Sequence, residues 1–178
     1  MDKELVLERL MAAHEAWFTL QRDFECGGRR FAGYGEFHSH GSQYVLVKRA
    51  KLWEVDAHEL LFLDTVGHLD SAALDDLVSF MTHEAVGMVD AKANHMSTNL
   101  SLVVIADSVD DDAWRKVRRT RFRKNFKLGL HGWADLRLVV IDLSREGKAD
   151  GGAAAAGAVT SNAAAADLRK TVERNLRP

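Results

Sequence analysis

The chain predicts an α+β fold: a single domain with a mixed sheet of four to five strands flanked by helices. Three observations carry this. The runs "LVVIA" and "LVVI" are apolar on consecutive residues, the pattern of strands covered on both faces. Segments of helical periodicity precede and separate those runs. The 178 residues, 47% hydrophobic and 28% charged, suffice for one core without metal or disulfide support.

Taken in order, residues 3–20 read as a helix, because Leu7, Leu10, Met11, His14, Trp17 and Phe18 recur at three and four residues. The glycines of "ECGGRRFAGYGEFHSHGS" break it, and "RFAGYGEFH" reads as an edge strand. Two firmer strands follow, Tyr44–Trp53 and His58–Asp64, and the short "EVDA" link predicts an antiparallel pair. Asp70 or Ser71 caps the next helix, whose buried stripe is Leu74, Leu77, Val78, Met81, Ala85 and Met88. Asn99–Ala106 is a central strand, Asp110 caps the helix "DDAWRKVRRTRF", and "ADLRLVVIDL" is the last clear strand. The core domain is expected to span 1–144. Residues 145–162 are rich in alanine and glycine and read as a linker or loop. Residues 163–178 read as a C-terminal helix anchored by Leu168, Val172 and Leu176. The predicted order is α-β-β-β-α-β-α-β-α.

Composition excludes some functions. A net charge of −2 gives the whole molecule no electrostatic bias toward nucleic acid or membrane. Cys26 is the single cysteine, so no internal disulfide forms, and a reducing, cytoplasmic location is expected. The apolar runs are too short to span a bilayer, so no membrane partner is expected. No phosphate-binding GxxxxGK[ST] loop and no GxSxG elbow occur. The pair His83–Glu84 lacks the second histidine of HExxH, His38 and His40 lack an identifiable third ligand, and no metal site is expected. An ExK nuclease core fits poorly, since "HELLFLD" has no lysine after its glutamate. No cofactor is identifiable.

Two segments concentrate polar chemistry. "RKVRRTRFRKNFK", Arg115–Lys127, holds eight basic residues in thirteen, directly after "DSVDDD". Acids at a helix start and bases at its end suit the helix dipole. Eight cations exceed that need, and like charges three or four residues apart repel. A solvated helix face is one reading. The other is an anion surface for phosphates or nucleic acid, with Arg118, Arg121 and Lys124 as charge donors and Phe122 or Phe126 free to stack.

The second segment is "HGWADLR". On a strand starting near Asp135, Asp135 and Arg137 share a face. His131 and Trp133 precede it, and His95 precedes the previous core strand in the same way. If those strands are parallel neighbours, His95 and His131 meet at one sheet end, where Asp135 can orient an imidazole. The alternative is structural: an Asp135–Arg137 pair and two histidines bonded to loop backbone.

The stretches "YVLVKRAKLWEVDAHELLFLD", "HMSTNLSLVVIADSV" and "FRKNFKLGLHGWADLRLVVIDLS", between Tyr44 and Ser144, resemble an uncharacterised family of small bacterial proteins. Members continue with an "NRAGKEL"-like segment, whose place is taken here by "SNAAAADLRK", Ser161–Lys170. The resemblance implies one domain and carries no activity. Three functions remain open. The leading one is binding of an anionic small molecule, nucleic acid or partner through Arg118, Arg121, Lys124, Trp133, Arg137 and His131. The second is a phosphoryl- or phosphodiester-directed enzyme with His95, His131 and Asp135 as catalytic residues and Arg137 holding the anion. The third is a homodimeric assembly protein that buries the hairpin end around Trp53.

Overall fold

A computed structural model of the chain describes residues 1–38, 56–91, 95–148 and 154–177. The helices are α1 (Lys3–His14), α2 (Ser71–His83), α3 (Asp111–Arg119) and α4 (Ala166–Asn175). The strands are β1 (Thr19–Cys26), β2 (Arg29–His38), β3 (Asp56–Leu69), β4 (His95–Val109), β5 (Arg123–Asn125), β6 (Trp133–Asp142), β7 (Gly147–Lys148), β8 (Ala154–Ala155) and β9 (Ala158–Ser161).

The predicted mixed sheet is present but has seven strands rather than four or five, in the order β1-β2-β3-β4-β6-β5, with β9 also on β6. β1, β2 and β3 form an antiparallel meander, while β3, β4 and β6 run parallel. Side chains alternate across a strand, so each central strand feeds two cores. Leu60, Phe62, Leu102, Val104, Leu138 and Val140 pack against α2 and α3. Leu61, Leu63, Val103, Ile105, Val139 and Ile141 pack against α1 and α4. This explains the runs of consecutive apolar residues: both faces are covered.

Several boundaries differ from the sequence reading. α1 stops at His14, whose buried ring donates from Nδ1 to the Leu10 carbonyl at 2.7 Å. Trp17, expected in the buried stripe, is 66% exposed. Residues 19–26, partly assigned to that helix, form β1, whose mostly exposed polar side chains hide the strand pattern. The expected edge strand is β2, and it is internal, between β1 and β3. At Gly35 a Cβ would come within 2.8 Å of Leu20, so the glycine admits the packing beside it. The predicted strand Tyr44–Trp53, its hairpin and His40 lie outside the described residues.

Capping follows expectation at α2, where the Asp70 carboxylate accepts from Ala73 N–H at 2.7 Å. At α3, Asp110 is the N-cap but makes no side-chain cap bond. The basic segment is not one helix, because α3 ends at Arg119 and the chain continues into β5. The tract read as linker or loop, 145–162, contains β9, hydrogen-bonded to β6. The C-terminal helix is a short 3₁₀ turn, Ala163–Ala165, followed by α4. No described helix is long and apolar enough to cross a membrane.

Candidate functional site

The parallel strands bring His95 and His131 to the same sheet end, but as scaffold. His95, 4% exposed, donates from Nδ1 to the backbone carbonyl of His131 at 2.8 Å. Its Nε2 then carries a lone pair and accepts from the Thr98 hydroxyl at 2.8 Å. The ring stacks on His58 and meets the edge of Phe126, on the side of α2 and α3. His131 donates from Nδ1 to the Ala91 carbonyl at 3.0 Å. Each imidazole thus fixes a loop backbone. Gly132 makes the close approach possible: its φ is +72°, and a Cβ there would lie 2.1 Å from the Met96 carbonyl oxygen.

Asp135 lies on the other face, two residues from Arg137 and four from Val139. It contacts neither histidine. Both carboxylate oxygens accept from Arg123, at 2.7 Å each. Nor does it pair with Arg137, whose Nη1 donates to both oxygens of Glu59 at 3.1 Å. The Ser101 hydroxyl donates to the same Glu59 carboxylate. Register explains these choices. Glu59, Asn99, Asp135 and Arg123 occupy one rung across β3, β4, β6 and β5, while Ser101 and Arg137 form the next. The three candidate catalytic residues therefore do not assemble into an acid–base set, and Arg137 is spent on Glu59.

The basic segment is more open. Of its eight cations, Arg115 pairs with Asp112, Lys116 with Asp75 and Arg123 with Asp135. The other five, Arg118, Arg119, Arg121, Lys124 and Lys127, have no carboxylate within ion-pair distance among the described residues. Arg118 donates from Nε to the Thr160 hydroxyl at 3.3 Å. Lys124 sits 5.8 Å from the Phe126 ring, and the Arg123 guanidinium 5.3 Å from the half-buried Trp133 ring.

Arg121 borders a cleft of about 310 Å³ at the edge of β6. β5 covers that edge at Trp133–Asp135 and β9 covers it at Val139–Asp142. Asn162 closes the gap between them. Its Oδ1 accepts from Leu138 N–H at 3.1 Å, and its Nδ2 donates to the Leu136 and Thr120 carbonyls at 2.8 and 3.3 Å. The cleft is lined by residues 120–123, by Asp135 and Leu136 of β6, and by Asn162–Ala164. Among the described residues no cluster of histidine, cysteine and carboxylates has the makings of a metal site.

Sequence reading missed Asn162, hidden in an alanine tract, and Arg123 as the partner of Asp135, a contact made only by sheet register. The family model described as Domain of unknown function (DUF8052) matches residues 2–150. No curated protein and no solved structure matches the chain. The matched span contains the histidines, the polar rungs and the basic segment, and ends before β9, Asn162 and α4. On a match of that extent, the chain belongs to the family of the Domain of unknown function (DUF8052).

Proposed function

We propose that this protein binds an anionic ligand bearing a phosphate-like group in the cleft between β5 and β9. The observation that carries the reading is the surplus of five cations without carboxylate partners among the described residues, in a chain of net charge −2, with Arg121 lining the cleft. A guanidinium with no partner can offer two parallel N–H donors to an anion. Arg123, held by Asp135, also lines the cleft, and Arg118 adds positive potential from α3. The reading with His95 and His131 as proton carriers lacks comparable support, since Asp135 and His95 face opposite sides of the sheet. The assembly reading rests on Trp53, outside the described residues.

The test is titration calorimetry of the full chain with inorganic phosphate, pyrophosphate and a short mixed-sequence oligonucleotide at low and moderate salt. Saturable binding, at least tenfold weaker in Arg121→Glu at unchanged thermal stability, is the expected outcome. If the ligand is a nucleic acid, affinity falls steeply with salt. Absence of saturable binding to all three probes, or equal affinity in Arg121→Glu, rules the reading out.

A further inference from the structure

At the other end of the parallel strands, three polar side chains, Ser108, His68 and Asp110, lie in series. His68 on β3 and Ser108 on β4 are register partners. Ser108 Oγ lies 2.9 Å from His68 Nδ1. His68 Nε2 lies 3.3 Å from Oδ1 of Asp110, the residue that precedes α3. A carboxylate can only accept, so the neutral ring suits Asp110 with its proton on Nε2. Nδ1 is then a lone pair, and the Ser108 hydroxyl donates to it. Nucleophile, base and carboxylate stand in the order that acyl-transfer catalysis requires, the carboxylate at ion-pair distance from the ring, with the two ring nitrogens exchanged relative to the serine-protease arrangement.

We infer that Ser108 is an activated nucleophile, with His68 as its general base, Asp110 as the positioning residue, and small neutral or cationic esters or thioesters as its substrates.

The surroundings agree. Three other carboxylates nearby are engaged elsewhere: Asp107 by Lys3 at 2.7 Å, Asp111 by Arg145 at 2.7 Å, and Asp112 by Arg115. Asp110 is left to the imidazole. Because its carboxylate does not cap α3, that side chain takes none of the first-turn N–H groups and stays available to the ring. The His68 and Asp110 side chains are 55% and 54% exposed, which gives a small reagent access. Asp110, which has no Lys or Arg partner among the described residues, disfavours anionic acyl donors.

In the reaction, Oγ of Ser108 bonds to the acyl carbon while its proton passes to Nδ1 of His68. The bond to the leaving alcohol or thiol then breaks, and that proton goes to the leaving group. Water attacks the acyl-Ser108 ester and gives its proton to Nδ1. The Oγ–acyl bond breaks, the proton returns to Oγ, and a carboxylic acid is released.

The experiment is intact-mass spectrometry of the full chain during incubation with a fluorophosphonate, followed by peptide mapping. One adduct per chain on Ser108 is expected. It should vanish in Ser108→Ala, form at least tenfold more slowly in His68→Gln, and form more slowly in Asp110→Asn, with part of the rate restored in Asp110→Glu. Circular dichroism melts establish that each variant is folded. An unmodified chain, an adduct on another residue, or equal labelling rates in the wild type and His68→Gln overturn the assignment. Should Ser108→Ala fail to fold, the mapped position and the His68→Gln rate decide.

Discussion

Asp64 stands near the end of the apolar stretch of β3, only 8% exposed, with Arg29 3.8 Å away. Burial pushes its carboxyl above the ordinary aspartate value, and Arg29 and the Thr65 N–H only partly offset that. The folded chain therefore holds this proton to higher pH than the unfolded chain does. Between the unfolded value, about 3.9, and the raised folded value, the native state binds more protons and stability falls as pH rises. Above that window the ionised group is a constant cost. Asp64→Asn should therefore be more stable than wild type at neutral pH and lose the decline across the window. Urea midpoints of both proteins from mildly acidic to neutral pH check this; a less stable variant at neutral pH would mean that the Arg29 pair outweighs desolvation. Gly132 makes the opposite case, where one added carbon is decisive. Gly132→Ala combines a left-handed φ of +72° with a collision on the Met96 carbonyl. Its expected cost is about 3 kcal/mol or more, read as a drop in urea midpoint. At this scale strand alternation allowed Asp135 and Arg137 to be placed on one shared face, but not on which side of the sheet relative to His95, and the apolar runs allowed His95 and His131 to be placed at one sheet end. Their partners were not legible. Arg123 reaches Asp135, and Glu59 reaches Arg137, through registers that no local pattern encodes.

Among the elements, β3, β4 and β6 were legible because strands buried on both faces must be apolar throughout. β1 was not, because "TLQRDFEC" lies at the sheet edge and keeps most of its side chains in water. β9 was not, because "AVTS" lies in a tract whose small residues mark a flexible linker by composition alone. What makes it a strand is the uncovered edge of β6, together with Asn162. That side chain, 2% exposed, serves Leu138 N–H and the Leu136 and Thr120 carbonyls, standing in for backbone where β5 has ended and β9 has not begun. Asn162→Ala leaves those groups buried without partners, at an expected cost of about 3 kcal/mol. Native-state hydrogen exchange reads the effect where it arises: the Leu138 amide should lose protection by orders of magnitude more than amides on β2. Uniform loss across the sheet would show instead that Asn162 acts only through global stability. The division of the basic segment between α3 and β5 belongs to this scale as well. Its charges suit a helix end as far as Arg119, and beyond it they serve the edge of the sheet and the cleft.

For the whole molecule, the two cores differ in their dependence on the C-terminal tail. The core under α2 and α3 is built from residues before 141, all inside the family match. The core on the opposite face is closed by Leu168, Val172 and Leu176, each at most 4% exposed, all beyond residue 150. Burying each such side chain contributes roughly 1.5–3 kcal/mol, so the three together rival the whole stability of an ordinary domain, about 5–15 kcal/mol. Removing the tail also strips β9 from Val139–Asp142 and leaves the hydrogen-bonding groups of a central, apolar strand open to other chains. A chain ending at residue 150, although it retains the matched span, should therefore fail as a unit. Its far-ultraviolet dichroism should melt without a cooperative transition, and gel filtration should find it in aggregates. A monomeric fragment with a sigmoidal melt within a few degrees of the full chain would mean that α1 and the two buried faces of the sheet suffice, and that β9 and α4 serve the cleft rather than the fold.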